Sequence, residues 1–154
     1  MQPPLSSVDR AAPRDGLDAK HSTQYSTLIA LLDGAVTIDS YSTERMQAAD
    51  VRALLPKVQY KADKSITATL EDMHATVTVT LKDGKKLSKR QDQLAGWAGN
   101  PLTPEQQRAK FLSCAQPLLK ASDAQRMLDL ADRIETLSDI GAIMDIARCD
   151  KRSA

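Results

Sequence analysis

Apolar positions change period twice along the chain. Tyr25, Leu28, Ile29 and Leu32 recur at helical spacing, which predicts one amphipathic helix from Asp18, its cap, to about Asp33, with His21 on the same face. Gly34 supplies the left-handed stop. Two shorter helices are expected next, one over Ser42–Ala49 capped by Ser42, one over Asp50–Leu55 ended by Pro56. The period then falls to two. Val58 and Tyr60 alternate weakly with polar neighbours; over His74–Leu81, Val77, Val79 and Leu81 point one way and Thr76, Thr78 and Thr80 the other. Asp83-Gly84 predicts a tight turn with positive φ at both central positions, Lys86–Gln91 the returning strand, and one face of the pair is expected to be buried. After a loop from Gly96 to Pro101, helical spacing returns. Thr103 caps a helix, Pro104 takes its first position and Gln106 completes a capping box. Phe111, Cys114, Ala115 and Leu118 form its apolar face, and Pro117 must kink or end it. Ser122 starts a further helix with the stripe Met127, Leu130, Ala131, Ile134 and Leu137; Ser138 starts a last one carrying Ile140, Ile143 and Met144. Helices, hairpin, helices define an α+β class: a small antiparallel sheet near residues 74–91, with helices on either side in sequence.

Length and composition refine this picture. The 154 residues suit one core, and 42% hydrophobic with 27% charged residues excludes disorder over the whole chain. Residues 1–17, with three of the seven prolines, read as an extended arm or linker, residues 18–149 as the domain, and residues 150–154 as a frayed tail. Aromatic residues make up only 3%, so the core must rest on Leu, Ile, Val, Met and Ala. A net charge of +1 offers no footprint for nucleic acid. The densest basic run, Lys82 to Arg90, contains Asp83 and no aromatic residue, and reads as a solvated hairpin edge whose lysines discourage aggregation. No apolar run reaches the roughly 18–20 residues of a membrane span, and Met1–Asp9 lacks the features of a signal peptide; the expected location is the cytoplasm. Cys114 and Cys149 have no CxxC spacing and cannot by themselves make a four-ligand metal site, so no metal is expected; Cys114 reads as a small buried hydrophobe.

No phosphate-binding glycine loop, GxSxG elbow or HExxH occurs, and the two histidines, His21 and His74, lie far apart. The candidate chemistry is Lys20-His21-Ser22-Thr23-Gln24-Tyr25, at the start of the first helix. Unpaired amides and the dipole favour an anion there. His21 and Tyr25 would share a face with Ser22 beside them and Lys20 adjacent, a set able to hold a carboxylate and offer a proton. The plainer alternative makes Tyr25 the first core residue and His21 a surface or satisfied histidine.

Three segments carry a resemblance. Ala19–Tyr25 followed by Ala30-Leu31-Leu32-Asp33-Gly34, then Val77–Lys85, then Asn100-Pro101-Leu102-Thr103-Pro104-Glu105 with Lys110-Phe111 and Cys114-Ala115, stand in the order found in the second domain of MmgE/PrpD proteins. Over roughly residues 17–136 the chain resembles the smaller, C-terminal domain of that family, which includes 2-methylcitrate dehydratase, cis-aconitate decarboxylase and iminodisuccinate epimerase. The resemblance implies an α+β lid closing over a small di- or tricarboxylate, against a large helical domain that this sequence lacks. Either the sequence is a fragment, or another polypeptide supplies that half. It further implies lyase chemistry beside a carboxylate, no cofactor, a chain inactive alone, and a possible homodimer. Tyr25 is then the candidate catalytic donor, with His21, Ser22 and Lys20 as candidate substrate-binding groups. Epimerase or isomerase chemistry of the same family, a non-catalytic binding module and a decayed gene remnant are the alternatives. Thr23, where the family favours a larger apolar residue, and the Leu94–Gly99 stretch around Trp97 depart from the pattern.

Overall fold

The computed structural model describes residues 10–63 and 74–148. The chain divides into two units, Met1–Ala62 and Asp63–Ala154. The arrangement is α+β: seven α-helices and one two-stranded antiparallel sheet among the described residues.

In the first unit the expected single helix is two. α1 spans Gly16–Lys20 and is capped by Asp15, whose side chain accepts from the Asp18 amide. α2 spans Thr23–Asp33 and is capped by Ser22, whose side chain accepts from the Tyr25 amide. Between them the chain extends at Ser22 (φ −94°, ψ 111°), so His21 ends α1 and does not join the apolar face of α2. Asp18 sits inside α1 and is not its cap. Gly34 closes α2 in the left-handed conformation (φ 76°), as its position predicts. α3 (Thr43–Gln47) is capped by Ser42, and α4 (Ala49–Leu54) runs into a 3₁₀ turn at Leu55–Lys57 that contains Pro56. Val58 and Tyr60 lie in no strand.

These elements enclose a core of Ala19, Tyr25, Leu28, Ile29 and Val51, with Leu32, Tyr41, Met46, Leu54 and Leu55 packed around it. Burying each large apolar side chain contributes about 1.5–3 kcal/mol. Close packing also explains Gly16: a Cβ there would lie 2.7 Å from the Tyr41 carbonyl oxygen. Arg45 joins the far ends of the unit, donating to Asp33 (2.7 and 2.9 Å) at the end of α2 and to Asp50 (2.9 and 3.1 Å) at the start of α4.

In the second unit β1 (Ala75–Thr80) pairs with β2 (Lys86–Gln91), from Ala75 opposite Gln91 to Thr80 opposite Lys86. The turn differs from the tight one expected. The Gly84 amide donates to the Leu81 carbonyl and the Leu81 amide to the Lys85 carbonyl. Only Gly84 has positive φ (84°), because the loop holds three residues and leaves Lys82 and Asp83 on the ordinary side. The register places Val77, Val79 and Leu87 on one face, yet Val77 and Leu87 are exposed. The buried face expected from the alternation is therefore not formed among the described residues.

α5 (Pro104–Ala115) starts with the capping box of Thr103 and Gln106 in full, and ends at Gln116, one residue before Pro117. Cys114 is exposed, correcting its reading as a buried hydrophobe; Ala115 is the buried residue of that helix. α6 (Ala121–Ala131) starts one residue earlier than Ser122 and without a side-chain cap, burying Ala124, Leu128 and Leu130. α7 spans Gly141–Ala147. Residues 150–154 and Met1–Asp9 lie outside the described residues.

Candidate functional site

The candidate segment straddles the α1–α2 junction, held by side chains that serve the backbone. Asp18 is nearly enclosed, with its side chain 12% exposed, and takes two cations: Arg10, and Arg14 through Nε at 2.9 Å. The hydrogen bond from Arg14 holds the Asp18 carboxyl below the usual carboxylate range, with Arg10 adding its charge and burial opposing. The same contact pushes Arg14 upward. This cluster fastens the arm before Gly16 onto α1.

Ser22 is buried and links two segments. Its hydroxyl donates to the Arg10 carbonyl at 2.5 Å and accepts from the Tyr25 amide at 3.1 Å. Tyr25 has no exposed surface, and its hydroxyl donates to the Ser40 carbonyl. Burial pushes its phenol up, so it remains a protonated donor at neutral pH. Its ring leans on Tyr41, with centroids 6.1 Å apart. Lys20 is exposed and stands 5.8 Å from the centre of the Tyr41 ring. His21 is exposed, with its backbone amide donating to the Asp18 carbonyl. Ser22 and Tyr25 are thus directly bonded, whereas Lys20 and His21 point to the surface of the same junction.

A cleft of about 210 Å³ lies against Tyr25, whose own surface is covered. The arm contributes Arg14 and Asp15 to it, and α3 contributes Thr43, Met46 and Gln47. The charge of Asp15 is partly occupied, since Oδ1 accepts from the Asp18 amide at 2.8 Å. Arg14, Thr43 and Gln47 escaped the sequence reading because they come from separate segments. Only the i, i+4 spacing of Arg14 and Asp18 hinted at the first. Among the described residues no group of three or more His, Cys, Asp or Glu is arranged to hold a metal ion, and no helix is long and apolar enough to cross a membrane.

Sequence comparison makes the family resemblance firm. The chain belongs to the MmgE/PrpD family, whose C-terminal domain matches residues 4–136. Among individual relatives it is similar to the cis-aconitate decarboxylase of Mus musculus, 28% identical over 141 residues, which are 92% of this chain and 29% of that protein. The cis-aconitate decarboxylase of Homo sapiens is 27% identical over 146 residues, 95% of this chain and 30% of that protein. The chain therefore spans about three-tenths of the length of these curated relatives.

Proposed function

We propose that this chain supplies the C-terminal-domain side of a lyase acting on a small di- or tricarboxylate, completed by the helical domain of its family. The observation that carries the reading is the family match over residues 4–136, joined to two relatives that are both cis-aconitate decarboxylases. Such chemistry moves a proton at a carbon beside a carboxylate and must stabilise carbanion-like charge. It needs a positioned acid and groups that hold carboxylates. Tyr25 is the proposed donor: its phenol is kept protonated by burial and fixed on a capped helix. Its hydroxyl donates to the Ser40 carbonyl, so donation to substrate requires exchanging that acceptor for a substrate oxygen. Ser22 orients Tyr25 by capping its helix, while at the surface of the junction Lys20 offers positive charge and His21 a group to orient or hold a carboxylate. Closure of this domain as a lid would exclude water and strengthen each of these interactions.

The test is to isolate the native protein with an antibody against this chain and incubate it with cis-aconitate, following products by ¹³C NMR. Loss of carbon dioxide or addition of water is the expected result. A preparation that contains the helical domain yet leaves tricarboxylates untouched sinks the lyase reading. In an active preparation Tyr25→Phe should lower kcat by about 10²–10⁴-fold. An unchanged kcat removes Tyr25 from the chemistry.

A further inference from the structure

The cleft beside Tyr25 contains chemistry that the four expected site residues do not explain. Only Tyr25 among them lines it; its polar groups otherwise come from Arg14, Asp15, Thr43 and Gln47, and its apolar wall from Pro13, Met46 and Leu55. We infer that this cleft is a carboxylate subsite, in which Arg14 grips one carboxylate of a short carbon-chain acid.

Arg14 is suited to the task by its anchoring. Its Nε donates to Asp18 at 2.9 Å and its backbone amide to the same carboxylate at 3.4 Å, which fixes the root of the guanidinium. Its terminal nitrogens make no hydrogen bond among the described residues, and its side chain is 85% exposed. A guanidinium held at one edge presents its free edge as a planar pair of donors, which matches a carboxylate bidentately. Holding the root in advance reduces the ordering cost on binding.

The remaining walls narrow the ligand. Drug-sized ligands occupy pockets of about 300–1,000 Å³, so the 210 Å³ here suits a smaller molecule. Met46 and Leu55, packed on the core, give it a fixed apolar side for a short carbon chain. Thr43 and Gln47 can hydrogen-bond a second oxygen group. Inorganic phosphate has no carbon chain to lay on that apolar side, so the fit is to a carboxylate carried on a short carbon chain.

This subsite deepens the carboxylate-lyase reading and rests on it for the class of substrate, yet the two fail separately. The full chain, ¹⁵N-labelled, would be titrated with cis-aconitate and, in parallel, with inorganic phosphate. Saturable shifts at the amides of Arg14, Thr43 and Gln47 are expected with cis-aconitate and not with phosphate. Arg14→Gln should weaken binding at least tenfold. Because that change also touches buried Asp18, Gln47→Glu provides a second variant: it adds a negative charge to the cleft away from Asp18 and should weaken binding likewise. Arg52→Gln, an exposed change outside the cleft, should leave binding unchanged. Absent or scattered shifts, equal binding of phosphate, or binding indifferent to both cleft variants would overturn the subsite. Saturable binding here by a protein whose complete assembly turns over no tricarboxylate would keep the subsite and remove the lyase reading. Turnover with a KM unmoved by Arg14→Gln and Gln47→Glu would do the reverse.

Discussion

In the first unit Tyr25, Ile29 and Val51 are fully enclosed, and the functional candidates lean on that core. In the second unit the hairpin keeps Val77, Leu81 and Leu87 in water, and among the described residues the buried ones lie in α5 and α6. The first unit is organised by contacts distant in sequence: Ser22 to Arg10, Tyr25 to Ser40, Arg45 to Asp33. The described hairpin of the second is organised by its ladder and turn, and α5 starts on a self-contained capping box. A side chain meant to present chemistry must be held within fractions of an ångström. The first unit has the packing to do this.

The contrast breaks most sharply on core truncation. Ile29→Ala should destabilise the first unit by about 2–5 kcal/mol, whereas Leu87→Ala, at an exposed hairpin position, should stay within about 0.5 kcal/mol. Hydrogen exchange read separately over the two units checks this, and comparable losses at both positions would erase the distinction.

Glycine substitutions give the next largest effect. Gly16→Ala forces a Cβ against the Tyr41 carbonyl, and backbone cannot yield as a side-chain tip can, so a loss of about 1–3 kcal/mol is expected in the first unit. Gly84→Ala meets no neighbour and costs about 1 kcal/mol from its left-handed φ alone. Thermal melts that rank the two in the opposite order would show that packing around Gly16 is looser than its geometry indicates.

Acid gives the smallest effect and sharpens the comparison by sign. Hydrogen bonds from Arg45 hold the Asp33 and Asp50 carboxyls below their ordinary range, and Arg14 does so for Asp18. A folded-state pKa below the unfolded one contributes stability that is present above the unfolded value of about 4 and lost as pH falls through the folded value. The first unit should therefore be insensitive from neutrality to about pH 4 and weaken below it. In the second unit Glu105 is the described carboxyl with a lowered value, through its own backbone amide and Thr103 at the start of α5. Exposed pairs are screened, so the acid loss is modest. Arg45→Met should flatten it in denaturant titrations at pH 7 and pH 3; an unaltered slope would assign it to other groups.

Much of the local structure was legible before any coordinates. Ser42 and Thr103 cap the helices assigned to them, Gly34 ends α2, and β2 has its expected bounds. The candidate site was legible in part. Ser22 and Tyr25 are bonded neighbours, but Tyr25 meets Arg14, Thr43 and Gln47 only through the cleft, and these share no periodicity with it. Spacing also misplaced His21, because an apolar face written over α2 continues on paper through a break that the backbone makes at Ser22.

By itself, the sequence determined the α+β order of elements and the family, since both depend on short-range rules: caps within four residues, side chains alternating along a strand, and motifs in a fixed order. Tertiary structure alone decided which hydroxyl meets which carbonyl. The α1–α2 break is stabilised by Ser22 donating across twelve residues to Arg10, and the Tyr25 proton is placed by Ser40, fifteen residues away. Cys114 shows the same limit from the other side. An apolar stripe says which residues could face a neighbour, but only the neighbour's position decides which are enclosed, and α5 encloses Ala115 and leaves Cys114 in solvent.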